Sequence, residues 1–349
     1  MEGGIVHIML LDKFIPPYIA FVEKYLDISA HHFIVFADST ALKSYPIAKS
    51  PYITLINQKF RSKIARLIYI AYKLQFARKI FIHGLWIHRI NIILTCMFWN
   101  LKKCHLAIWG GDLYAYRDAK STRAEHRKER YKRFVFKHVG YIIPVVYGDY
   151  TLAKKWYHTR AKSLEPFMYV SFYERYITMP LKPQGDIVNI QVGNSATTSN
   201  HHIDCFDMLE GMANICIYVP LSYGDKHYAD SIKRVGEARF GDRFVALESF
   251  MPFDTYMAFL HTIDIAIFKQ NRQQGMGNIF ALLAMGKKIY LDSSTTHYDF
   301  LRELGFRVFD IRDFDLNPML EADSIHNRNL LLKLYSKEKQ IASQRGFYA

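Results

Sequence analysis

Short apolar runs alternate with longer amphipathic stretches along most of the chain. In the first half the runs are Ile5–Leu10, His32–Ala37, Tyr52–Asn57, Lys79–Gly84, Cys104–Gly110 and Gly140–Val146, with amphipathic segments such as Arg61–Ala77 between them. A looser stretch containing proline and glycine follows at Met179–Asp186. The pattern then restarts with Ile187–Gly193, Ile215–Leu221, Asp242–Glu248, Asp264–Lys269 and Lys287–Asp292. Apolar runs alternating with helical patterns predict parallel sheets covered on both faces, hence the α/β class. Two such series predict two Rossmann-like domains, 1–178 and 186–325, with 326–349 as a C-terminal helix packing back on the first.

Doubly wound sheets bind ligands outside the carboxyl ends of their strands, and that rule sorts the polar residues. In the second half it selects Gly193–His202, Ser222–Gly224 with Tyr223 at its centre, and Asn271–Asn278. Gly193 permits a tight turn, while Asn194, Ser195, Thr197, Thr198 and Ser199 offer neutral donors to phosphate or sugar oxygens. Ser199 and Asn200 read better as caps of the following helix. His202 is either a cation on a phosphate oxygen or a solvated helix residue. The Gly-x-Gly turn ahead of a helix leaves backbone N–H groups pointing at a ligand, with Gly275 and Gly277 allowing close approach. Its bland alternative is an ordinary strand-to-helix turn. Arg272 then neutralises a leaving diphosphate, unless it pairs with a carboxylate, and Gln273, Gln274 and Asn278 complete the donor-side candidates.

In the first half the same rule selects His83–Gly84, Trp109–Tyr114 and Tyr147–Asp149. Asp112 follows two glycines at a strand end, where it is either a base for an acceptor hydroxyl or a helix cap. His83 is a second candidate base or phosphate contact, or else a core histidine. Asp149 reads as an N-cap.

Charge adds a partner to the picture. The chain of 349 residues carries a formal +14, which suits a polyanion: nucleic acid, an anionic membrane or a phosphorylated substrate. Nine of its basic residues crowd into Tyr116–Lys137, near the apolar Ile90–Trp99, and together these predict docking on an anionic inner-membrane surface rather than only a solvated helix face. Ile90–Trp99 is too short to span a bilayer. Helix-turn-helix, zinc-finger and RNP-like patterns are missing, which argues against nucleic acid. Cys96, Cys104, Cys205 and Cys216 lack C-x-x-C spacing and fit reduced cytosolic thiols, and no signal peptide is expected at the N-terminus. Asp313–Asp315 matches a metal-binding D-x-D but reads as a solvated turn, so no metal or other cofactor is expected.

Four stretches in order, Ile108–Tyr114, Gly193–Ile203, Phe253–Phe268 and Arg272–Gly277, with a weaker match at His83–Gly84, carry a resemblance. The chain resembles the TDP-N-acetylfucosamine:lipid II N-acetylfucosaminyltransferase family, the 4-alpha-L-fucosyltransferases of enterobacterial common antigen synthesis. The match runs from about His83 to about Gly286, and the residues before and after diverge. It implies a GT-B glycosyltransferase, two Rossmann-like domains facing a central cleft, one for the nucleotide-sugar and one for the acceptor. The implied donor is a dTDP-activated 4-acetamido-4,6-dideoxygalactose (Fuc4NAc). The implied acceptor is a polyprenyl-diphosphate-linked saccharide of common antigen or O-antigen synthesis, met by a peripheral enzyme at the cytoplasmic face of the bacterial inner membrane. No acidic residue stands between Asp264 and Asp292, so the E-x7-E pair of many retaining GT-B enzymes is absent. That suits thymidine, whose deoxyribose has no 2′-hydroxyl to grip. The rival readings are a basic nucleic-acid-binding protein and a nucleotide-binding protein without catalysis.

Overall fold

The computed structural model describes residues 4–118, 120, 122–166, 169 and 173–349. They form two compact units, Met1–Val170 with Ile341–Ala349, and Ser171–Gln340.

The first unit is built on a seven-stranded parallel sheet of β1 (Ile5–Leu10), β2 (His31–Phe36), β3 (Ile53–Leu55), β4 (Lys79–His83), β5 (Cys104–Ala107), β6 (Tyr141–Ile143) and β7 (Lys162–Ser163), in the order β3-β2-β1-β4-β5-β6-β7. Each of the first six falls inside or beside an apolar run. β6 stops at Ile143 because Pro144 has no N–H for a ladder. β7 is two exposed residues at the edge, with no apolar run to announce it.

Side chains alternate across the sheet, and its two faces differ in chemistry. On one, Val6, Ile8, Ile34, Ile80, Ile82, Leu106 and Ile142 share a core with Ile70 and Leu74 of helix Lys63–Phe76, Leu94 of helix His88–Cys96 and Phe136 of helix Arg123–His138. The run Ile90–Trp99 therefore turns Ile90 and Leu94 into this core and leaves Phe98 and Trp99 outside. On the other face His7 stacks on Phe33 at 4.6 Å and on Phe81 at 5.3 Å, Phe81 on His105 at 4.7 Å, and His105 on Tyr141 at 4.4 Å. Tyr348 covers this ladder edge-on, 4.7 Å from His31 and 4.8 Å from Phe81, and its hydroxyl meets that of Tyr18. Those contacts place Ile341–Ala349 in the first unit. Helix Glu321–Tyr335 instead belongs to the second, where Arg328 donates to Ala284 O at 3.0 Å and Met179 O at 2.9 Å.

The second unit repeats the plan with β8 (Val188–Val192), β9 (Ile215–Pro220), β10 (Phe244–Leu247), β11 (Ile265–Phe268), β12 (Lys288–Leu291) and β13 (Phe309–Asp310), ordered β10-β9-β8-β11-β12-β13 and parallel throughout. Residues Ile279–Ala284 of helix Met276–Ala284 are all buried, which accounts for the uninterrupted apolar run there. Strand order reverses between β1 and β4 in one sheet and between β8 and β11 in the other. Those pivots are where doubly wound sheets take ligands.

Candidate active site

At the pivot of the second unit, the loops after β8 and β11 are tied together by neutral side chains. Asn194 Oδ1 accepts from Gln270 Nε2 at 2.7 Å and Gln274 Nε2 at 2.9 Å, and Asn194 Nδ2 donates to the Tyr223 hydroxyl at 2.8 Å. Gln274 Nε2 also reaches Ser195 Oγ at 3.1 Å, and Ser199 Oγ donates to Gln274 Oε1 at 2.7 Å. Asn194, Ser195, Tyr223 and Gln274, chosen from separate loops of the sequence, thus form one cluster.

Gly275 begins helix Met276–Ala284 at φ +72°, and a side chain on it would press on Asn194 Cγ at 3.3 Å. Gly193, at φ +67°, would strike His202 Nε2 at 2.7 Å. A Cβ on Gly277 would meet no atom of the described residues outside its own helix within 4 Å, leaving room beside the first N–H groups of the helix. Arg272 and Asn278 are half-buried in the same segment. Gln273 is buried, and its Oε1 has no hydrogen-bond partner among the described residues. An acceptor atom left over in this way suits a ligand hydroxyl better than a phosphate oxygen.

Three donor-side expectations are corrected. His202 is fully buried, its Nδ1 is 3.0 Å from the Tyr228 hydroxyl, and burial pushes its pKa down to about 4. It is a neutral ring under the Gly193 turn, not a cation at a helix start. Asn200 does not cap the next helix, where His201 is the N-cap at φ +50° without a side-chain cap bond. Its Nδ2 donates to Ser195 O and Thr197 Oγ1, both at 2.8 Å, while its Oδ1 accepts from Gln270 Nε2 at 2.9 Å. Ser199 serves Gln274 rather than a cap. Gln270, overlooked in the sequence, is the amide that joins Asn194 to Asn200.

In the first unit Asp112 is 2% exposed and its carboxylate accepts three backbone N–H groups: Leu85 at 3.0 Å, Trp109 at 2.8 Å and Leu113 at 2.9 Å. It closes a capping box on the short helix Gly110–Tyr114 and pins the turn after β4. Burial raises its pKa to about 7, and three of its acceptor positions are taken by the backbone. His83 is equally enclosed, 3.1 Å from His7 and bonded to the Tyr169 hydroxyl, and burial lowers it to about 3. Gly84 beside it is at φ +78°, where a side chain would strike Trp86. Asp149 is not a cap either: Val146 is the N-cap of helix Tyr147–Tyr157, and Asp149 Oδ1 accepts from the Tyr114 hydroxyl at 3.2 Å.

A carboxylate that no sequence motif marks is better placed. Asp12 stands two residues after β1 at the pivot, half-buried, with Phe14 N–H donating to its Oδ1 at 2.8 Å. Burial raises its pKa to about 6. The rings of Phe14, Trp109 and Tyr169 gather beside it, Trp109 being 5.5 Å from Phe14 and 4.7 Å from Tyr169. The available signal was a carboxylate directly following the first strand of a doubly wound sheet.

Among the described residues, no three His, Cys, Asp or Glu side chains converge on a metal position. Asp313 and Asp315 are exposed, and Asp315 pairs with Lys288 at 2.6 Å.

The buried imidazoles make stability depend on acid. His31, His32, His105, His202 and His297 are lowered to about 4, His83 to about 3 and His7 well below its usual value, all mainly by burial. A depressed folded pKa contributes stability that is present above the unfolded value near 6.5 and lost as pH falls toward the folded one. Asp12 and Asp112, raised by burial, act in the opposite sense but are outnumbered. Unfolding free energy from urea titrations is expected to fall by at least about 3 kcal/mol between pH 7 and pH 4.5. A flat profile would mean that these rings are hydrated in solution.

The fold is shared with solved structures that include a glycosyltransferase. A glycosyltransferase from Rickettsia africae superposes with a TM-score of 0.63 at 11% identity, covering 99% of this chain and 98% of that one. Sucrose-phosphate synthase from Thermosynechococcus elongatus gives 0.63 at 10% identity, with 99% and 98% covered. An E. coli trehalose-6-phosphate protein bound with UDP-2-fluoro glucose gives 0.60 at 10% identity, with 98% of each chain covered. Two parallel Rossmann-like units with this likeness are the GT-B architecture. The profile of 4-alpha-L-fucosyltransferase, glycosyl transferase group 56, matches residues 19–324. With that span and this fold, the chain belongs to the 4-alpha-L-fucosyltransferase family and is a glycosyltransferase.

Proposed function

We propose that the chain transfers a Fuc4NAc-type sugar from a dTDP donor to a polyprenyl-diphosphate-linked saccharide at the cytoplasmic face of the bacterial inner membrane, in common antigen or O-antigen synthesis. The observation carrying this reading is the pair of loops at the β8/β11 pivot, joined by Asn194, Asn200, Gln270 and Gln274 ahead of a helix N-terminus. Backbone N–H groups and Arg272 suit the two phosphates, and the amides and hydroxyls suit a sugar. The stretch 265–291 contains no carboxylate to grip a ribose 2′-hydroxyl, which favours a deoxynucleotide.

In the reaction the bond from the sugar's anomeric carbon to the β-phosphate breaks, the acceptor oxygen bonds to that carbon, and dTDP leaves. The acceptor's proton passes to Asp12 or to the departing phosphate. Arg272 and the helix N-terminus offset the charge that develops on dTDP. This reading requires no metal ion, and EDTA should leave the rate unchanged.

Thermal melting with nucleoside diphosphates tests the donor half. At 100 times its Kd, dTDP should add about 2.7 kcal/mol of stability, with a smaller gain from UDP at the same concentration. No shift with any nucleoside diphosphate would remove the donor assignment. Binding of dTDP without sugar transfer would point instead to a nucleotide-binding protein that has lost catalysis.

A further inference from the structure

Helix Lys63–Phe76 has two apolar faces. Ile70 and Leu74 are buried, while Ile64, Ile68, Tyr72 and Phe76 are 69%, 64%, 56% and 48% exposed. Their four-residue spacing puts them in one row, and the rings of Tyr72 and Phe76 lie 4.9 Å apart. Phe98 and Trp99, 60% and 52% exposed, extend the row: Trp99 Nε1 donates to Gln75 Oε1 at 2.9 Å, and Lys103 Nζ to Gln75 O at 2.9 Å. Six large apolar side chains in one exposed patch exceed the scattered hydrophobics of an ordinary surface.

The charge of this region has one sign. From Ser39 through Gly111 the chain carries twelve lysines and arginines and no aspartate or glutamate, nearly the whole net +14. Lys59, Arg61, Lys63 and Lys102 are exposed around the row, and Lys103 adjoins Trp99. Helix Arg123–His138, the more obvious basic element, exposes no large apolar side chain, since Val135 and Phe136 are buried. It adds to the positive field but has nothing to insert. Ala119 and Ser121 of that basic segment lie outside the described residues.

We propose that helix Lys63–Phe76, with Phe98 and Trp99, is the face by which the protein docks on an anionic membrane surface. Apolar side chains flanked by cations, with Tyr and Trp offering polar tips, fit the boundary between headgroups and acyl chains. No helix among the described residues is long and apolar enough to cross a membrane, so the contact is with the surface plane. A nucleic acid would not use the apolar row, and a second copy of this chain would bring like charge against like.

The test is sedimentation of the full chain with phosphatidylglycerol/phosphatidylethanolamine vesicles and with phosphatidylcholine vesicles. Wild type should bind the anionic vesicles and release them as salt rises. The variant I64S/I68S/Y72S should lose at least about tenfold in partition with an unchanged melting temperature, because all three side chains are exposed. K59Q/K63Q/K102Q should lose about tenfold or more on anionic vesicles only. Brominated lipid should quench Trp99, and W99F should abolish that quenching. Wild-type binding by I64S/I68S/Y72S, equal binding to both vesicle types, or self-association that I64S/I68S/Y72S removes without any vesicle binding would each overturn the proposal. None of these readouts involves sugar transfer, so failure here leaves the proposed reaction standing, and failure of that reaction leaves this surface standing.

Discussion

Changing Asp12 to asparagine is expected to slow turnover by about 10²–10⁴-fold at saturating donor while dTDP affinity stays unchanged. The carboxylate follows β1 at the pivot of the first sheet, and its burial is partial. With its pKa raised to about 6, it is ionised at neutral pH and still basic enough to take a proton. The rate of the wild type should therefore rise with pH through about 6, and this limb should vanish in Asp12→Asn. Asp112→Asn is expected to behave differently. An amide there keeps one acceptor oxygen but turns an NH2 toward backbone N–H groups, so about 1–3 kcal/mol of stability is lost, with turnover per folded molecule near wild type. Kinetics and melting of the two variants side by side distinguish the roles. A near-normal Asp12→Asn beside a slow but fully stable Asp112→Asn would reverse them.

Arg272→Ala is expected to weaken dTDP binding by about 1.5–3 kcal/mol, roughly 10- to 150-fold, because a charge-assisted contact to phosphate is removed. Arg272→Lys should recover only part of this, since an ammonium does not reproduce the planar fork of the guanidinium. Gln270 gives a second view of the same site. It is fully buried and bonds to both Asn194 and Asn200, so Gln270→Leu should weaken dTDP by loosening the two loops. Calorimetric titration measures all three. Wild-type affinity in Arg272→Ala would take that residue out of the donor site.

Much of the framework is legible in the chain because parallel strands covered on both faces must be apolar along their length. That is why Ile5–Leu10 and Ile265–Phe268 stand out, whereas the two-residue edge strands Lys162–Ser163 and Phe309–Asp310 bury too little to leave a trace. The rule that ligands sit at strand carboxyl ends likewise locates the loops at Gly193 and Gly275 from the sequence alone. Partnerships across the fold are another matter. Gln270 and Asn194 are 76 positions apart, and no local pattern announces that one amide will satisfy the other. His202 was ambiguous because a lone imidazole at a helix start carries no sign of which way it turns. Asp12 was missed because a carboxylate after an apolar run looks like the end of a strand. Helix Lys63–Phe76 has apolar residues on two sides, and periodicity cannot say that Ile70 goes inward while Ile68 stays outside.

Mass spectrometry of a single reaction tests sugar transfer from a dTDP donor to a lipid-linked acceptor. Purified protein is incubated with dTDP-Fuc4NAc and a polyprenyl-diphosphate-linked saccharide, with Arg272→Ala as control. The expected products are an acceptor heavier by one Fuc4NAc residue and an equal amount of released dTDP, with Arg272→Ala sharply slower at limiting donor. An unmodified acceptor, in the presence of a protein that binds dTDP and melts normally, would contradict it.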